Sequence, residues 1–232
     1  MIVLKFGGTS VGSVENFRKV ADIVNQVRED KIVVLSAMSG VTNTLVEISD
    51  HLKTGNKERA IFVIGSLDQK YREVARDLLP DHGMQEKAFA FLETHNALLN
   101  RIASEDFTES SEKEILAQGE LVSTQLFHYY LESIHVSGEL LSALDFMRID
   151  RNGEPDAERI RQNLRKVLQS DSGNRTYITQ GYICRNHLND IDNLRRGGSD
   201  YSASLIGAAA DAKQIQIWTD IDGMHNNDPR YV

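Results

Sequence analysis

Apolar positions along the 232-residue chain switch repeatedly between two spacings. Ile2–Phe6 is a short apolar run that ends in two glycines, after which Val14, Phe17, Val20, Val24 and Val27 recur on one helical face. Ile32-Val33-Val34-Leu35 repeats the strand pattern and closes with Ser36-Ala37-Met38-Ser39-Gly40; Leu45, Val46 and Leu52 then mark another helix. Apolar β-branched runs on either side of such a helix predict a βαβ unit with parallel strands, because a parallel pair needs a long crossover. Residues 56–103 break the alternation. They carry no strand pattern, and Ala88, Phe91, Leu92, Leu99 and Ile102 share a helical face, which predicts an all-helical insertion that covers or flanks a site. A second helical stretch runs from Glu112 to about Glu132.

Alternation then resumes. The pattern predicts a strand over Leu140–Phe146, a helix over Asp156–Gln169, a strand over Thr176–Ile183, an Ala-rich helix over Ser199–Ala212 and a strand over Ile215–Thr219. No repeat or low-complexity linker divides the chain, so residues 1–232 are expected to form one α/β domain, a mainly parallel sheet with helices on both faces. The last strand is followed by the turn Asn226-Asn227-Asp228-Pro229 and no covering helix, which predicts that the natural polypeptide continues past Val232.

Composition narrows the function. With 26 Lys+Arg against 34 Asp+Glu the formal charge is −8, so no general excess of cations is available to replace the counterions of a nucleic acid. An anionic ligand would have to be held by a local cluster of donors. No stretch of 18 or more apolar residues predicts a membrane span. The start of the chain lacks a signal-peptide pattern, and one cysteine, Cys184, cannot form an internal disulfide; both fit a reducing, cytoplasmic compartment.

Two segments concentrate such donors. Lys5-Phe6-Gly7-Gly8-Thr9-Ser10 stands where a strand gives way to a helix. A lysine ending an apolar strand is costly to desolvate without an anion, and two glycines let backbone N–H groups approach one closely. The spacing is neither that of a Walker A loop nor that of a dinucleotide fingerprint; the plain alternative is a glycine-rich turn with a snorkelling lysine. Arg195-Arg196-Gly197-Gly198-Ser199-Asp200 joins guanidinium groups to a helix N-terminus, a combination suited to carboxylate or phosphate. Asp200 could bind a ligand ammonium or cap the helix. Trp218-Thr219-Asp220 leaves a strand at the edge where α/β sheets gather ligands. Glu120, in Gln118-Gly119-Glu120, would by spacing alone be a solvated or first-turn acid. The seven histidines show no metal-ligand spacing, His95 falls on a core stripe, and Cys184 has no CxxC partner.

These residues resemble a known family. Lys5–Val11, Ser36–Asn43, Gln118–Glu120, Thr179-Gln180-Gly181, Arg196–Tyr201, Trp218–Gly223 and Asp228-Pro229-Arg230 look like the aspartate kinases of the amino-acid kinase fold, in the family's order. The resemblance implies a three-layer αβα sandwich and phosphorylation of the side-chain carboxylate of L-aspartate by ATP, the first step toward lysine, threonine and methionine. It implies Lys5, Arg196 and Asp200 as catalytic groups. It implies Lys5, Gly7, Gly8, Ser10, Thr219, Asp220 and Arg230 toward ATP, and Ser36, Thr42, Glu120, Arg196, Gly197, Gly198, Ser199 and Asp200 toward aspartate. Mg²⁺ would arrive with ATP and not on protein ligands, and the full-length protein would be a homo-oligomer. Asp192-Asn193-Leu194-Arg195 departs from the Thr-Thr-Leu-Gly of many members, and His225 from their tyrosine. Members continue with a further kinase segment, and most with regulatory ACT domains, absent from residues 1–232, so this chain is expected to be weakly active or inactive alone and insensitive to lysine or threonine. Related kinases of other carboxylates, or a non-catalytic nucleotide- or aspartate-binding fragment, are the competing readings.

Overall fold

The computed structural model describes residues 1–168, 175–195 and 197–219. Five strands form one parallel sheet in the order β3-β4-β2-β1-β7, where β1 is Ile2–Phe6, β2 Lys31–Leu35, β3 Glu139–Leu141, β4 Thr176–Gln180 and β7 Gln214–Trp218. A two-stranded antiparallel ribbon, β5 (Ile183–Arg185) with β6 (Ile191–Asn193), stands apart from it. The helices are α1 Val14–Gln26, α2 Val41–Lys53, α3 Lys57–Leu78, α4 His82–Ser104, α5 Glu109–Ser133, α6 Ala143–Phe146, α7 Ala157–Val167 and α8 Gly198–Ala209.

Strand alternation divides the core in two. Ile2, Leu4 and Phe6 of β1 and Val33 and Leu35 of β2 point toward α1–α5, whereas Val3, Ile32 and Val34 point toward α6–α8. Each face of the sheet therefore has its own apolar cluster and its own helical layer, giving the αβα sandwich. Helix starts follow side-chain capping. Ser13, Asn56, Asp81 and Asp156 each accept from a backbone N–H three residues on, and Thr108 with Ser111 forms a reciprocal box. Helices α3 and α4 pack on one another and against α2 and α5.

Two expectations need correction. Leu140–Phe146 is not one strand: β3 stops at Leu141 and α6 begins at Ala143, whose N–H donates to the buried Gln180 side chain at 2.8 Å and so leaves the sheet ladder. Thr176–Ile183 is broken after Gln180, because Tyr182 takes φ of 64°, which no strand accommodates. The helix expected to carry Leu45, Val46 and Leu52 is α2, which buries Leu45 and Leu52 with Val41 and Ile48 and leaves Val46 exposed.

Candidate active site

Strand alternation also aims the first candidate. Lys5 shares the face of Val3, toward α8, and β1 is paired on both edges, so the side chain emerges at the carboxyl end of the strand. Lys5 is 8% exposed. Its Nζ lies 2.6 Å from Asp200 Oδ1, in the first turn of α8, which supplies the countercharge a buried ammonium needs. The cap position of α8 is Gly197, with φ of 76° and no side-chain cap, while the Asp200 carboxylate pairs with Lys5. Gly7 runs beneath the ammonium, where a Cβ would stand 3.4 Å from Nζ.

Glu120 is placed by close approach of α5 to the turn after β2. A Cβ on Gly119 would come within 2.7 Å of Ala37 Cβ, so only glycine lets the helix lie this near. At that separation Glu120 Oε1 accepts from the Ala37 N–H at 3.2 Å, and Ser123 Oγ donates to Ser36 O at 2.7 Å. Far from being solvated, Glu120 is buried, and its Oε2 has no hydrogen-bond partner among the described residues. Burial pushes its carboxyl up from 4.5 to about 7, against the lowering effect of the Ala37 N–H. The turns after β1 and β2 interlock as well, Ser39 N donating to Gly8 O at 3.1 Å, with Gly8 pressed against Ala37 O.

These parts surround one cleft of about 590 Å³ at the carboxyl ends of the strands. Lys5, Gly8, Ser36, Thr42 and Glu120 line it from the first half of the chain, and Gly197, Gly198, Ser199 and Asp200 from the second. Ser10 and Thr219 line a neighbouring hollow of about 450 Å³, where Phe6 and Trp218 stack with ring centroids 5.9 Å apart; Thr9 borders both spaces. Arg196, Asp220, His225 and Arg230 lie outside the described residues. One lining residue, Tyr182, lies outside every motif singled out from the sequence. Tyr182 follows Gly181 just past the end of β4, so the carboxyl-edge rule applied to that strand would have found it.

The residues set aside behave as core. His95 is buried, with Nδ1 3.1 Å from Gln118 Oε1, and burial lowers its pKa. Cys184 is a buried free thiol whose pKa burial pushes up to about 12. Among the described residues no group of three or more His, Cys, Asp or Glu is placed to hold a metal ion, and no helix is long and apolar enough to cross a membrane.

Comparison with known proteins follows the same lines. The profile of the amino acid kinase family matches residues 1–232. Lysine-sensitive aspartokinase 3 of Escherichia coli K12 is 32% identical over 235 residues, spanning 100% of this chain and 51% of that protein. The chloroplastic bifunctional aspartokinase/homoserine dehydrogenase 1 of Zea mays is 31% identical over 99% of this chain and 26% of its own length. The solved structure of E. coli aspartokinase III in complex with aspartate and ADP superposes with a TM-score of 0.82 at 30% identity, covering 100% of this chain and 52% of that one. The chain thus spans about half the length of the monofunctional relative and about a quarter of the bifunctional one.

Proposed function

The chain belongs to the amino acid kinase family, and from that premise we propose that it transfers the γ-phosphoryl group of Mg–ATP to the side-chain carboxylate of L-aspartate, giving 4-phospho-L-aspartate. The observation that carries the reading is the convergence of the Lys5–Asp200 pair and the unpaired Glu120 carboxylate on one cleft. An acidic amino acid brings two carboxylates and one ammonium, and the cleft offers cationic, amide and anionic groups in the complementary sense. Aspartate is favoured over other acids by the named activity of the relatives and by the aspartate and ADP bound to one of them.

In this mechanism a carboxylate oxygen of aspartate attacks the γ-phosphorus, the bond to the β,γ-bridging oxygen breaks, and ADP departs. The attacking group is already ionised, so no protein base or nucleophile is required; the work is alignment and charge neutralisation. Lys5 with the Gly7-Gly8 backbone holds the transferring phosphates, and Asp200 orients the Lys5 ammonium. Glu120 receives the substrate ammonium, while Ser36, Thr42, Arg196 and the Gly197–Ser199 turn hold the amino acid. Ser10, Thr219, Asp220 and Arg230 form the nucleotide side. Mg²⁺ enters as part of the nucleotide and spreads the phosphate charge; a donor set of buried lysine and backbone amides fits an anion and not a resident cation.

Hydroxylamine trapping tests the proposal. With Mg–ATP and L-aspartate, the acyl phosphate is expected to be captured as a hydroxamate, and L-asparagine should give none. ADP formation without hydroxamate, or equal hydroxamate from L-glutamate, would contradict the assignment; aspartate binding without any turnover would leave a binding fragment.

A further inference from the structure

Away from the cleft, two arginines stand together without a countercharge. Arg148 follows α6 and Arg185 ends β5, and their backbones are joined: Ile149 N donates to Arg185 O and Arg185 N to Met147 O, each at 3.0 Å. The join brings both guanidinium groups to one acceptor. Arg148 Nη1 donates to Leu144 O at 2.7 Å, and Arg185 Nε donates to the same oxygen at 3.2 Å. Both residues are half-buried, and neither has an ion-pair partner among the described residues. Burial first, and then the Arg185 charge, pull the Arg148 pKa below the ordinary guanidinium value. The carboxylate that opposes them, Asp145, is exposed and beyond ion-pair distance, and the Cys184 thiol is neutral near pH 7. Arg159, itself 3.7 Å from Asp156, adds a further positive charge.

Capping of α6 accounts for one of the two. The carbonyls that end a helix accept from nearby arginines, and Arg148 Nη1 alone reaches both Leu144 O and Met147 O, the latter at 2.9 Å. Arg185 brings a second cation to an oxygen already satisfied, and like charges this close are unfavourable unless an anion joins them. Arg148 Nε and Nη2 and Arg185 Nη2 make no hydrogen bond among the described residues, and none of the three is sealed from solvent. Arg148, Leu144 and Arg185 border neither the cleft nor the hollow beside it. We propose that this pair is a second anion site, taking a doubly charged phosphoryl group from inorganic phosphate or a phosphate monoester. Charge decides the class: two guanidinium groups neutralise a dianion, whereas a single carboxylate would leave one of them uncompensated. Their planar forks present the paired donors that phosphate oxygens accept.

Thermal unfolding of the native chain, with ionic strength held constant by sodium chloride, tests the site without any need for turnover. Inorganic phosphate and glycerol phosphate are titrated in turn, with acetate as the monoanionic control. The melting temperature should rise and saturate with phosphate, as expected of a ligand that binds the folded state alone, and acetate should leave it unchanged. Arg185→Gln should weaken the phosphate response about tenfold. Lys5→Ala, which strips the cleft of its ammonium, should retain it. In phosphate-free buffer Arg185→Gln should melt no lower than the native chain, because repulsion is relieved and Arg148 still holds both carbonyls. A larger response to glycerol phosphate assigns the site to a phosphate monoester; a larger or equal response to inorganic phosphate assigns it to the free ion. A response that survives Arg185→Gln, one lost with Lys5→Ala, an equal response to acetate, or none at all overturns the proposal. An Arg185→Gln variant that melts lower without phosphate overturns it as well, since the arginine would then be a structural cap.

Discussion

Replacing Glu120 with glutamine separates its contribution to stability from its contribution to binding. In the ligand-free chain burial lifts the Glu120 carboxyl from 4.5 to about 7, and that difference corresponds to about 3 kcal/mol between its two protonation states. Because the folded-state pKa is the higher one, the folded chain holds more protons than the unfolded chain between pH 4.5 and about 7. Stability accordingly declines as pH rises through that window, and the full cost is reached above it. Glutamine keeps the acceptor for the Ala37 N–H and cannot ionise. Denaturant unfolding of the ligand-free proteins should thus show little difference at pH 4.5 and a variant more stable by about 3 kcal/mol at pH 8. Aspartate should reverse the order: its ammonium pairs with ionised Glu120, so native affinity should rise about tenfold per pH step below about 7, then level. The variant should bind weakly at every pH. Parallel stability profiles for the two proteins, or undiminished aspartate affinity in the variant, would refute the reasoning.

Other perturbations follow from the same geometry. Lys5→Ala should lower the rate of hydroxamate formation by about 10²-fold or more while changing aspartate affinity far less, as expected of a group that stabilises transferring charge; equal losses in both would contradict the phosphate assignment. Asp200→Asn removes the partner of a buried ammonium, but Asp200 is 56% exposed, so unfolding should register only about 1 kcal/mol while turnover falls substantially. Gly119→Ala forces a methyl to within 2.7 Å of Ala37 Cβ and should cost about 1–3 kcal/mol in thermal unfolding together with aspartate affinity. A variant that melts and binds like the native chain would show that α5 does not need this approach.

Much of the fold could be read from spacing alone, and the reasons are physical. β1 and β2 are short runs bounded by turns and buried at every position, which leaves little freedom for another period. The reading failed where tertiary contacts outvoted local pattern. Leu140–Phe146 is apolar throughout, yet the Gln180 side chain, distant in sequence, captures Ala143 N–H and starts a helical turn. The ribbon β5–β6 was not foreseen because Tyr182 turns the chain in a conformation that tyrosine seldom adopts. At the site, Lys5 and the Gly197–Asp200 turn were legible, since a charge on an apolar strand and glycines at a helix start are local signals. Glu120 was not, because its burial depends on Gly119 meeting Ala37 from another element. Its candidacy came from resemblance alone; what the structure adds is its burial and the free Oε2 among the described residues.

The central claim is that one cleft holds an acidic amino acid between Lys5 and Glu120. A crystal structure of the chain with L-aspartate and Mg–ADP tests it most directly. The ligand ammonium should lie within hydrogen-bond distance of Glu120 Oε2, with the side-chain carboxylate turned toward Lys5 Nζ and the phosphates. Aspartate found in the hollow beside Trp218, or in this cleft with its ammonium turned away from Glu120, would contradict the account.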